Sequence, residues 1–326
     1  MKTTALWPAV LAAALACALP AAPACAQAKV WISNTGNDLS PCTISAPCAT
    51  LNHALAIVAT GGDIGVLTPG DYFTALIGTS VNITNDGAGE ASVAVGSGDV
   101  GLTISAGTGD VVGLRGLVID GQGVASEGIL ITQASAVHIQ NCVVRNFEQA
   151  GSGYGIVLQP SGTIRTQLFV SDTLVYNNGS TAGTGGIYIG PNGAASANVV
   201  LHSVHLENNV IGLWVDGFNS TGDGSHVILR DSVVSGNAGD GIQARSLPGR
   251  APAFVVVEES SSVNNGGAGM LANGPRATIL IDNNTIARNG AGINAVNSGQ
   301  IISYGNNKNN NNIGAEGVAT AAYTLM

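Results

Sequence analysis

The chain has 326 residues, a formal net charge of −9, 46 glycines and only 10% charged residues. Its hydrophobic fraction of 45% excludes general disorder, because disordered chains are poor in apolar residues and rich in charge. No basic cluster is present, so the composition also argues against nucleic acid as a partner. Few charges together with many Gly, Asn, Ser, Val and Ile favour short strands joined by tight turns.

The N-terminal segment has the pattern of a secretory signal peptide. Lys2 precedes an apolar stretch, and two small-x-small sites end at Ala26 and Ala28. Pro20 and Pro23 follow the apolar stretch, whereas a transmembrane anchor needs about 20 continuous apolar residues. The sequence therefore predicts residues 1–28 as a cleaved signal peptide, and an exported protein, periplasmic or extracellular, with no membrane span after cleavage.

Two cysteines follow in a short proline-rich loop, Ser-Pro-Cys-Thr-Ile-Ser-Ala-Pro-Cys. Because export leads to an oxidising compartment, Cys42 and Cys48 are predicted to form a disulfide. The alternative, a metal or redox pair, has no partner residues nearby. Cys142 lies among valines and is interpreted as a small buried residue.

A short helix and a strand come next. Leu51, Leu55 and Val58 have helical spacing, and Gly61-Gly62 ends the helix. Residues 63–72 then have the pattern of a strand and a turn. A short helix followed by Gly-Asp-Ile-Gly-Val and Pro-Gly-Asp-Tyr resembles the opening coil of the pectate-lyase-like β-helix superfamily.

The segment Trp31–Asp38, with its Pro-Cys pairs, resembles a group of secreted bacterial β-helix proteins of undefined activity. The resemblance covers essentially the whole mature chain. It implies an all-β, right-handed parallel β-helix in which the short N-terminal helix caps the open edge of the first coil.

Internal repeats support a solenoid independently of the resemblance. A turn Asn recurs with steps of 31, 28, 28 and 24 residues, and a Gly-apolar pair recurs seven times. Strands this short cannot bury a face alone, so coil must stack on coil. We expect the turn Asn residues to be structural, because Asn tolerates left-handed backbone and stacked Asn side chains can hydrogen-bond between coils. The predicted ladder is Asn178, Asn209, Asn237, Asn265 and Asn289.

These patterns divide the chain into four segments. After the signal peptide, residues 29–72 form an N-terminal segment with the disulfide loop and the capping helix. Residues 73–305 form the parallel β-helix, and the Asn-rich residues 306–326 form a C-terminal cap or tail.

Alignment of the repeats predicts which side chains share a face. Residues two and four after each repeat Gly should point outward, in columns that run from coil to coil. The first column is Leu130, Val157, Tyr188, Trp214, Gln243, Leu271 and Asn294. The second is Thr132, Gln159, Gly190, Asp216, Arg245, Asn273 and Val296.

The outward pair Tyr188 and Trp214 suggests a carbohydrate platform, because flat aromatic faces pack on sugar C–H surfaces. Tyr188, Trp214, Gln243 and Asn273 are the candidate substrate-binding residues. The structural alternative is that Tyr188 and Trp214 pack under a loop and that Asp216 and Arg245 form an ion pair.

A third outward column precedes the Asn turn and contains charged residues. We interpret it as a salt-bridge ladder. His202 and His205 lie across a corner and should diverge, so no metal site is predicted. The column is Gln140, Ser171, His202, Arg230, Glu258 and Asp282.

Enzymes that share the β-helix fold carry sequence motifs that can be compared with this chain. Polygalacturonase-like hydrolases resemble one another in Asn-x-Asp, Asp-Asp, Gly-His-Gly and Arg-x-Lys motifs, and all four are absent here. The lyase motif Trp-x-Asp-His resembles Trp214-Val215-Asp216, but Gly217 replaces the His. If the chain is a lyase, Arg245 would be the base and Asp216 a cation or substrate ligand.

Two functional hypotheses follow, and the sequence leaves open whether the protein is an enzyme. The first is a non-catalytic exported module that binds a polysaccharide or a cell-surface glycan, without a cofactor. The alternative is a polysaccharide lyase acting on an acidic glycan by β-elimination, and only this alternative involves calcium.

Overall fold

A computed structural model describes residues 27–323. The predicted signal peptide lies outside the described residues except for Gln27 and Ala28, which begin the first strand. Within the described range the chain forms one helix, α1 (Leu51–Ile57), and 31 short strands. None of the helical structure in this range is long and apolar enough to cross a membrane.

The strands are, in chain order, β1 (Gln27–Ile32), β2 (Val58–Val66), β3 (Gly70–Asp71), β4 (Ala75–Ile77), β5 (Val81–Thr84), β6 (Ala91–Ala94), β7 (Val100–Ser105), β8 (Val111–Arg115), β9 (Leu117–Asp120), β10 (Glu127–Gln133), β11 (Ala136–Gln140), β12 (Val143–Arg145), β13 (Tyr154–Leu158), β14 (Arg165–Ser171), β15 (Leu174–Tyr176), β16 (Gly185–Ile189), β17 (Ser196–His202), β18 (His205–Glu207), β19 (Ile211–Asp216), β20 (Gly224–Arg230), β21 (Val233–Ser235), β22 (Ile242–Arg245), β23 (Ala253–Glu258), β24 (Ser261–Val263), β25 (Ala268–Asn273), β26 (Ala277–Asp282), β27 (Thr285–Ala287), β28 (Ala291–Val296), β29 (Gln300–Ser303), β30 (Lys308–Asn309) and β31 (Ala321–Ala322).

These strands form three long sheets that run the length of the molecule. The twelve-stranded sheet 1 contains β1, β2, β5, β8 and every third strand from there to β29, then β31; the nine-stranded sheet 2 runs from β4 to β28; the ten-stranded sheet 3 runs from β3 to β30. Successive coils pair in parallel, as β14 does with β17, β15 with β18 and β16 with β19. The predicted all-β, right-handed parallel β-helix is confirmed.

The core lies inside the coils and is built by strand alternation. The residues that alternate with the predicted outward columns are buried, as Leu213 and Val215 of β19 show with no exposed surface. The same holds for Ile187 and Ile189, and for Ile242 and Ala244. Each coil therefore contributes a layer of aliphatic side chains to one continuous core.

The turn Asn residues form a continuous hydrogen-bonded ladder at the corner between sheets 3 and 2. The side-chain Oδ1 of each Asn accepts the backbone N–H of the Asn one coil earlier, as from Asn178 to Asn209 at 3.0 Å and from Asn209 to Asn237 at 2.9 Å. The series continues through Asn265 and Asn289 and ends on Asn312 of the C-terminal segment. All five predicted ladder residues are buried.

The ladder Asn residues do not adopt the left-handed backbone that was predicted for them. The left-handed backbone falls on the residue before each ladder Asn: Asn177, Asn208, Gly236, Asn264 and Arg288 all have positive φ, whereas the ladder residues do not. The ladder Asn is therefore required for its side-chain hydrogen bonds, and the preceding residue makes the turn.

A second ladder at the corner between sheets 1 and 3 has mixed composition. Here the Oγ of Ser232 accepts the N–H of Val204, the Oγ of Ser260 accepts that of Ser232, and the Oδ1 of Asn284 accepts that of Ser260. The repeat pattern does not reveal this ladder, because Ser and Asn both occur at one structural position.

The N-terminal segment covers the first coil with two devices. Cys42 and Cys48 form the predicted disulfide, and its loop hydrogen-bonds to β1, the edge strand of sheet 1, through Trp31 N to Cys42 O at 2.8 Å. Helix α1, which is capped by Thr50, packs over β4, the edge strand of sheet 2. Its Asn52 side chain donates a hydrogen bond to Thr74 O at 2.8 Å. Both sheet edges are thereby shielded from further pairing.

The C-terminal segment covers the last coil. The backbone N–H groups of Gly292 and Ile293 in β28 donate to Ala315 O and Glu316 O at 2.9 Å each. Glu316 also accepts the side-chain amide of Asn312. This segment therefore continues the Asn ladder and pairs with the otherwise open edge of sheet 2.

We expect Asn237→Ala to destabilise the protein by about 3 kcal/mol, because several buried groups lose a partner at about 1–3 kcal/mol each. The Asn237 side chain accepts from Asn209 N at 2.9 Å and donates to Leu206 O and Asn265 Oδ1 at 3.1 and 2.8 Å. Urea unfolding followed by far-ultraviolet circular dichroism measures the change. Asn219→Ala, at an exposed loop Asn, is the control and should stay within about 0.5 kcal/mol; equal effects would contradict the ladder's role.

Candidate functional site

The columns predicted from the repeats are in register. Tyr188 pairs with Trp214, Trp214 with Gln243, and Asp216 with Arg245 on adjacent strands of sheet 2. Leu271 and Asn273 continue the two columns on the next coil. The solenoid thus brings residues that are about 28 positions apart in sequence to one strand spacing in space.

Tyr188 does not point into solvent, which agrees with the structural alternative in which it is a packing residue. Its side chain is only 8% exposed and packs against the rings of Tyr154 and Trp214, with centroids 5.3 and 5.1 Å away. The ring lies over Gly190, where a Cβ atom would come within 2.3 Å of the tyrosine hydroxyl. Tyr188 is therefore a packing residue and offers no flat face to a sugar.

The long corner of residues 177–184 contacts the rings on either side of Tyr188. The Tyr154 hydroxyl donates a hydrogen bond to Gly183 O, and a Cβ atom at Gly183 would lie 3.6 Å from the Trp214 ring. The corner therefore packs against this aromatic cluster. Trp214 is half-buried beneath it.

Asp216 and Arg245 form a bidentate ion pair at the ends of β19 and β22. Arg245 Nε donates to Asp216 Oδ1 at 3.0 Å and Nη2 to Oδ2 at 2.5 Å. Asp216 is 2% exposed and also accepts the N–H of Phe218 at 3.0 Å. This contact raises the pKa of Arg245 above its usual range.

Two aromatic rings flank the Arg245 guanidinium. Its Cζ lies 4.8 Å from the centroid of Trp214 and 5.1 Å from that of Phe218. The Cζ of Arg250 lies 6.0 Å from the centroid of the Phe218 ring. We call Trp214, Asp216, Phe218, Arg245 and Arg250 the arginine–aromatic site.

Phe218 and Arg250 were not predicted as binding residues. Both lie in loops between the repeating strands, so the alignment of repeats gave them no column. A local signal existed, because Asp216-Gly217-Phe218 has the pattern of a turn in which Asp accepts from the residue two positions on. Gly217 fits there because a Cβ atom would come within 2.2 Å of Ala251 O.

The other predicted binding residues lie beside this site. Gln243 lies on β22 with Arg245 and Asn273 on β25 of the next coil, and both are half-buried. Asn273 Oδ1 accepts from the side chain of Asn297 at 2.9 Å. Arg276 Nη1 donates to Arg250 O at 2.8 Å, and Arg245 and Arg250 both lie against the Phe218 ring.

A carboxylic acid on the other side of Tyr154 was missed by the repeat pattern. Glu127 pairs in register with Tyr154, and burial raises the pKa of Glu127. Burial and the nearby acids raise the pKa of Tyr154 to about 12, so its hydroxyl remains protonated at neutral pH. These residues extend the polar cluster beneath the 177–184 corner.

The predicted salt-bridge ladder on sheet 1 is wrong, although its register is right. Arg230 Nε and His202 Nδ1 both lie 3.3 Å from Asp231, a corner residue, and not against Glu258. Along the column the charges are two cationic or titratable groups followed by two acids, so opposite charges meet at one step only.

The cysteines have structural roles. Cys42, Cys48 and His53 lie close enough to suggest a metal site, but the two sulfurs form the disulfide. Burial raises the pKa of the Cys142 thiol to about 11, so it remains an inert buried group as predicted from its valine neighbours.

We expect Arg245→Leu to lower the free energy of unfolding by about 3 kcal/mol, because it leaves the buried Asp216 carboxylate without its counter-ion. Arg165→Leu is the control, since Arg165 and its partner Asp223 are 55% and 72% exposed and such pairs contribute at most about 1 kcal/mol. Parallel urea titrations measure both changes. Similar losses would show that the Asp216–Arg245 pair is no more than a surface contact.

The chain is similar to one family model and to several solved structures. A family model described as the right-handed β-helix region matches residues 127–313. Among solved structures, the pectate lyase Pel9A superposes with a TM-score of 0.63 at 15% identity, over 91% of this chain and 78% of that one. An alginate lyase from Paenibacillus sp. str. FPU-7 superposes with a TM-score of 0.56 at 16% identity, over 84% of this chain and 96% of that one.

At such identities the two structures establish a shared fold alone, and no curated protein matches the chain. The family model, however, spans more than half of the sequence and coincides with the stacked coils from β10 to the C-terminal segment. The chain belongs to the right-handed β-helix family.

Proposed function

We propose that the protein binds an acidic polysaccharide at the arginine–aromatic site and does not cleave it. The observation that carries this proposal is the fixed Arg245 guanidinium. Asp216 takes its Nε and Nη2 donors, the rings of Trp214 and Phe218 flank it, and its side chain remains 31% exposed. The Nη1 donor is not engaged by Asp216.

The chemistry of the site favours a carboxylated sugar. A guanidinium donates to carboxylates with strong directional preference, and Arg250 lies against the same Phe218 ring as Arg245. The whole chain carries a net charge of −9, so long-range repulsion opposes a polyanion and local contacts must supply the affinity. Phe218, which is 38% exposed, is the aromatic surface on which a sugar ring would pack.

The same pair argues against the lyase alternative with Arg245 as base. A base in β-elimination must exist in its neutral form, whereas the Asp216 carboxylate stabilises the charged guanidinium. Both Asp216 oxygens are already bonded to Arg245. A calcium ion at Asp216 would therefore have to displace the arginine.

The fold supports presentation of such a site to a polymer. The same fold occurs in a pectate lyase and an alginate lyase, and the long sheet faces of a solenoid give a chain-like ligand room on either side of the site. The disulfide fits an oxidising compartment, and we propose that the protein is exported and meets its glycan in the periplasm or outside the cell.

Isothermal titration calorimetry with oligogalacturonate, oligo-alginate and a neutral gluco-oligosaccharide of equal length tests the proposal. We expect binding of an acidic oligomer only, weakened about tenfold by Arg250→Gln and by Phe218→Ala, which each remove about 1–2 kcal/mol of charged or stacking contact. Arg115→Gln is the control, because Arg115 is an exposed arginine on β8. This variant should bind the oligomer as tightly as the unaltered protein does.

Two outcomes separate the parts of the proposal. Equal affinity for the neutral oligomer, or unchanged binding in both site variants, would remove the acidic-glycan assignment. Accumulation of unsaturated uronate absorbance during incubation with either acidic polymer would show turnover, and the lyase alternative would replace the non-catalytic proposal.

A further inference from the structure

The outer face of sheet 1 carries a continuous apolar stripe. Its central outward column pairs in register across β14, β17, β20, β23, β26 and β29. All six side chains are partly exposed, with Ile228 at 38%. The stripe consists of Phe169, Val200, Ile228, Val256, Leu280 and Ile302.

A charged column runs beside this stripe, two residues further along each strand. From β17 to β26 it contains His202, Arg230, Glu258 and Asp282. The two basic side chains lie on consecutive coils, each with one nitrogen 3.3 Å from the corner residue Asp231, and the two acids lie on the next two coils. Two basic residues followed by two acids are complementary in charge to the same column when the order of its coils is reversed.

Consider a two-fold axis that lies parallel to the strands and passes between β20 and β23. The axis keeps the strand direction and reverses the order of the coils. Arg230 then faces Glu258 of the second copy, and His202 faces Asp282. In the stripe, Ile228 faces Val256 and Val200 faces Leu280.

We propose that the protein forms an antiparallel homodimer through the sheet 1 face. The apolar stripe supplies the buried surface, and the charged column sets the register by pairing each basic residue with an acid of the second copy. Sheets packed in this way keep their strands aligned, which is a common geometry for two sheets face to face.

The area available is sufficient for a specific but modest dimer. Six strands of about six residues cover roughly 24 by 20 Å. Two such faces bury about 1,000 Å² in total, near the lower limit of specific interfaces. Trp214, Asp216 and Arg245 of the arginine–aromatic site lie on sheet 2, and its loop residues precede the sheet 1 strands, whereas the charged column lies near the far ends of those strands. This proposal is therefore independent of the proposed function.

Complementary charge variants test the proposal. Sedimentation equilibrium of the purified protein should show a monomer–dimer equilibrium. Arg230→Glu and Glu258→Arg should each be monomeric alone, because like charges then meet twice across the axis. An equimolar mixture should restore the dimer, since glutamates of one variant face arginines of the other.

A second pair of variants tests the stripe. Ile228→Lys should raise the dimer dissociation constant at least tenfold, whereas Leu76→Lys, at a 60% exposed leucine on sheet 2, should leave it unchanged. Circular dichroism confirms that each variant is folded. A monomer at every concentration up to about 0.5 mM, a limit set by the affinity scale of weak association, would overturn the proposal. A dimer that survives Ile228→Lys, or charge variants whose mixture stays monomeric, would also overturn it.

Discussion

The hydrogen bond from a corner backbone N–H to the Asn side chain of the next coil is the constraint on which this structure depends. It satisfies a buried donor at the point where the chain leaves sheet 3, and it does so in every coil from Phe147 to Asn289. Parallel pairing alone would tolerate a shifted register on three flat sheets. A buried amide that must meet one particular N–H does not tolerate such a shift.

The site is a consequence of that register. Asp216 and Arg245 are separated by a whole coil, yet they lie side by side because Asn209 and Asn237 align their coils. The loops then decide what the columns can do. The 177–184 corner packs against the rings of Tyr154 and Trp214, while the turn after Asp216 places Phe218 against the guanidinium. Repeating strands supply alignment, and non-repeating loops supply the chemistry.

This division explains how far the sequence was informative. Periodicity was sufficient for the fold, the disulfide followed from spacing and compartment, and the outward columns were placed in the correct register. Strand alternation cannot show whether an outward residue is covered, so it left open whether Tyr188 and Asp216 face solvent, and both are buried. Phe218 and Arg250 lie outside the repeat, so no periodic signal marked them. The second corner ladder escaped notice because Ser and Asn share one position.

The coil is also the unit in which such a molecule can change length. The segments between successive ladder residues make the same contacts with the coil before and the coil after. Duplication or loss of one segment would therefore lengthen or shorten the molecule by about 4.8 Å, the spacing of paired strands. The arginine–aromatic site sets a boundary on this freedom. A coil inserted between β19 and β22 would separate Asp216 from Arg245, whereas one inserted near either end would leave them in contact. We therefore expect relatives that keep the site to gain or lose whole coils elsewhere than between β19 and β22.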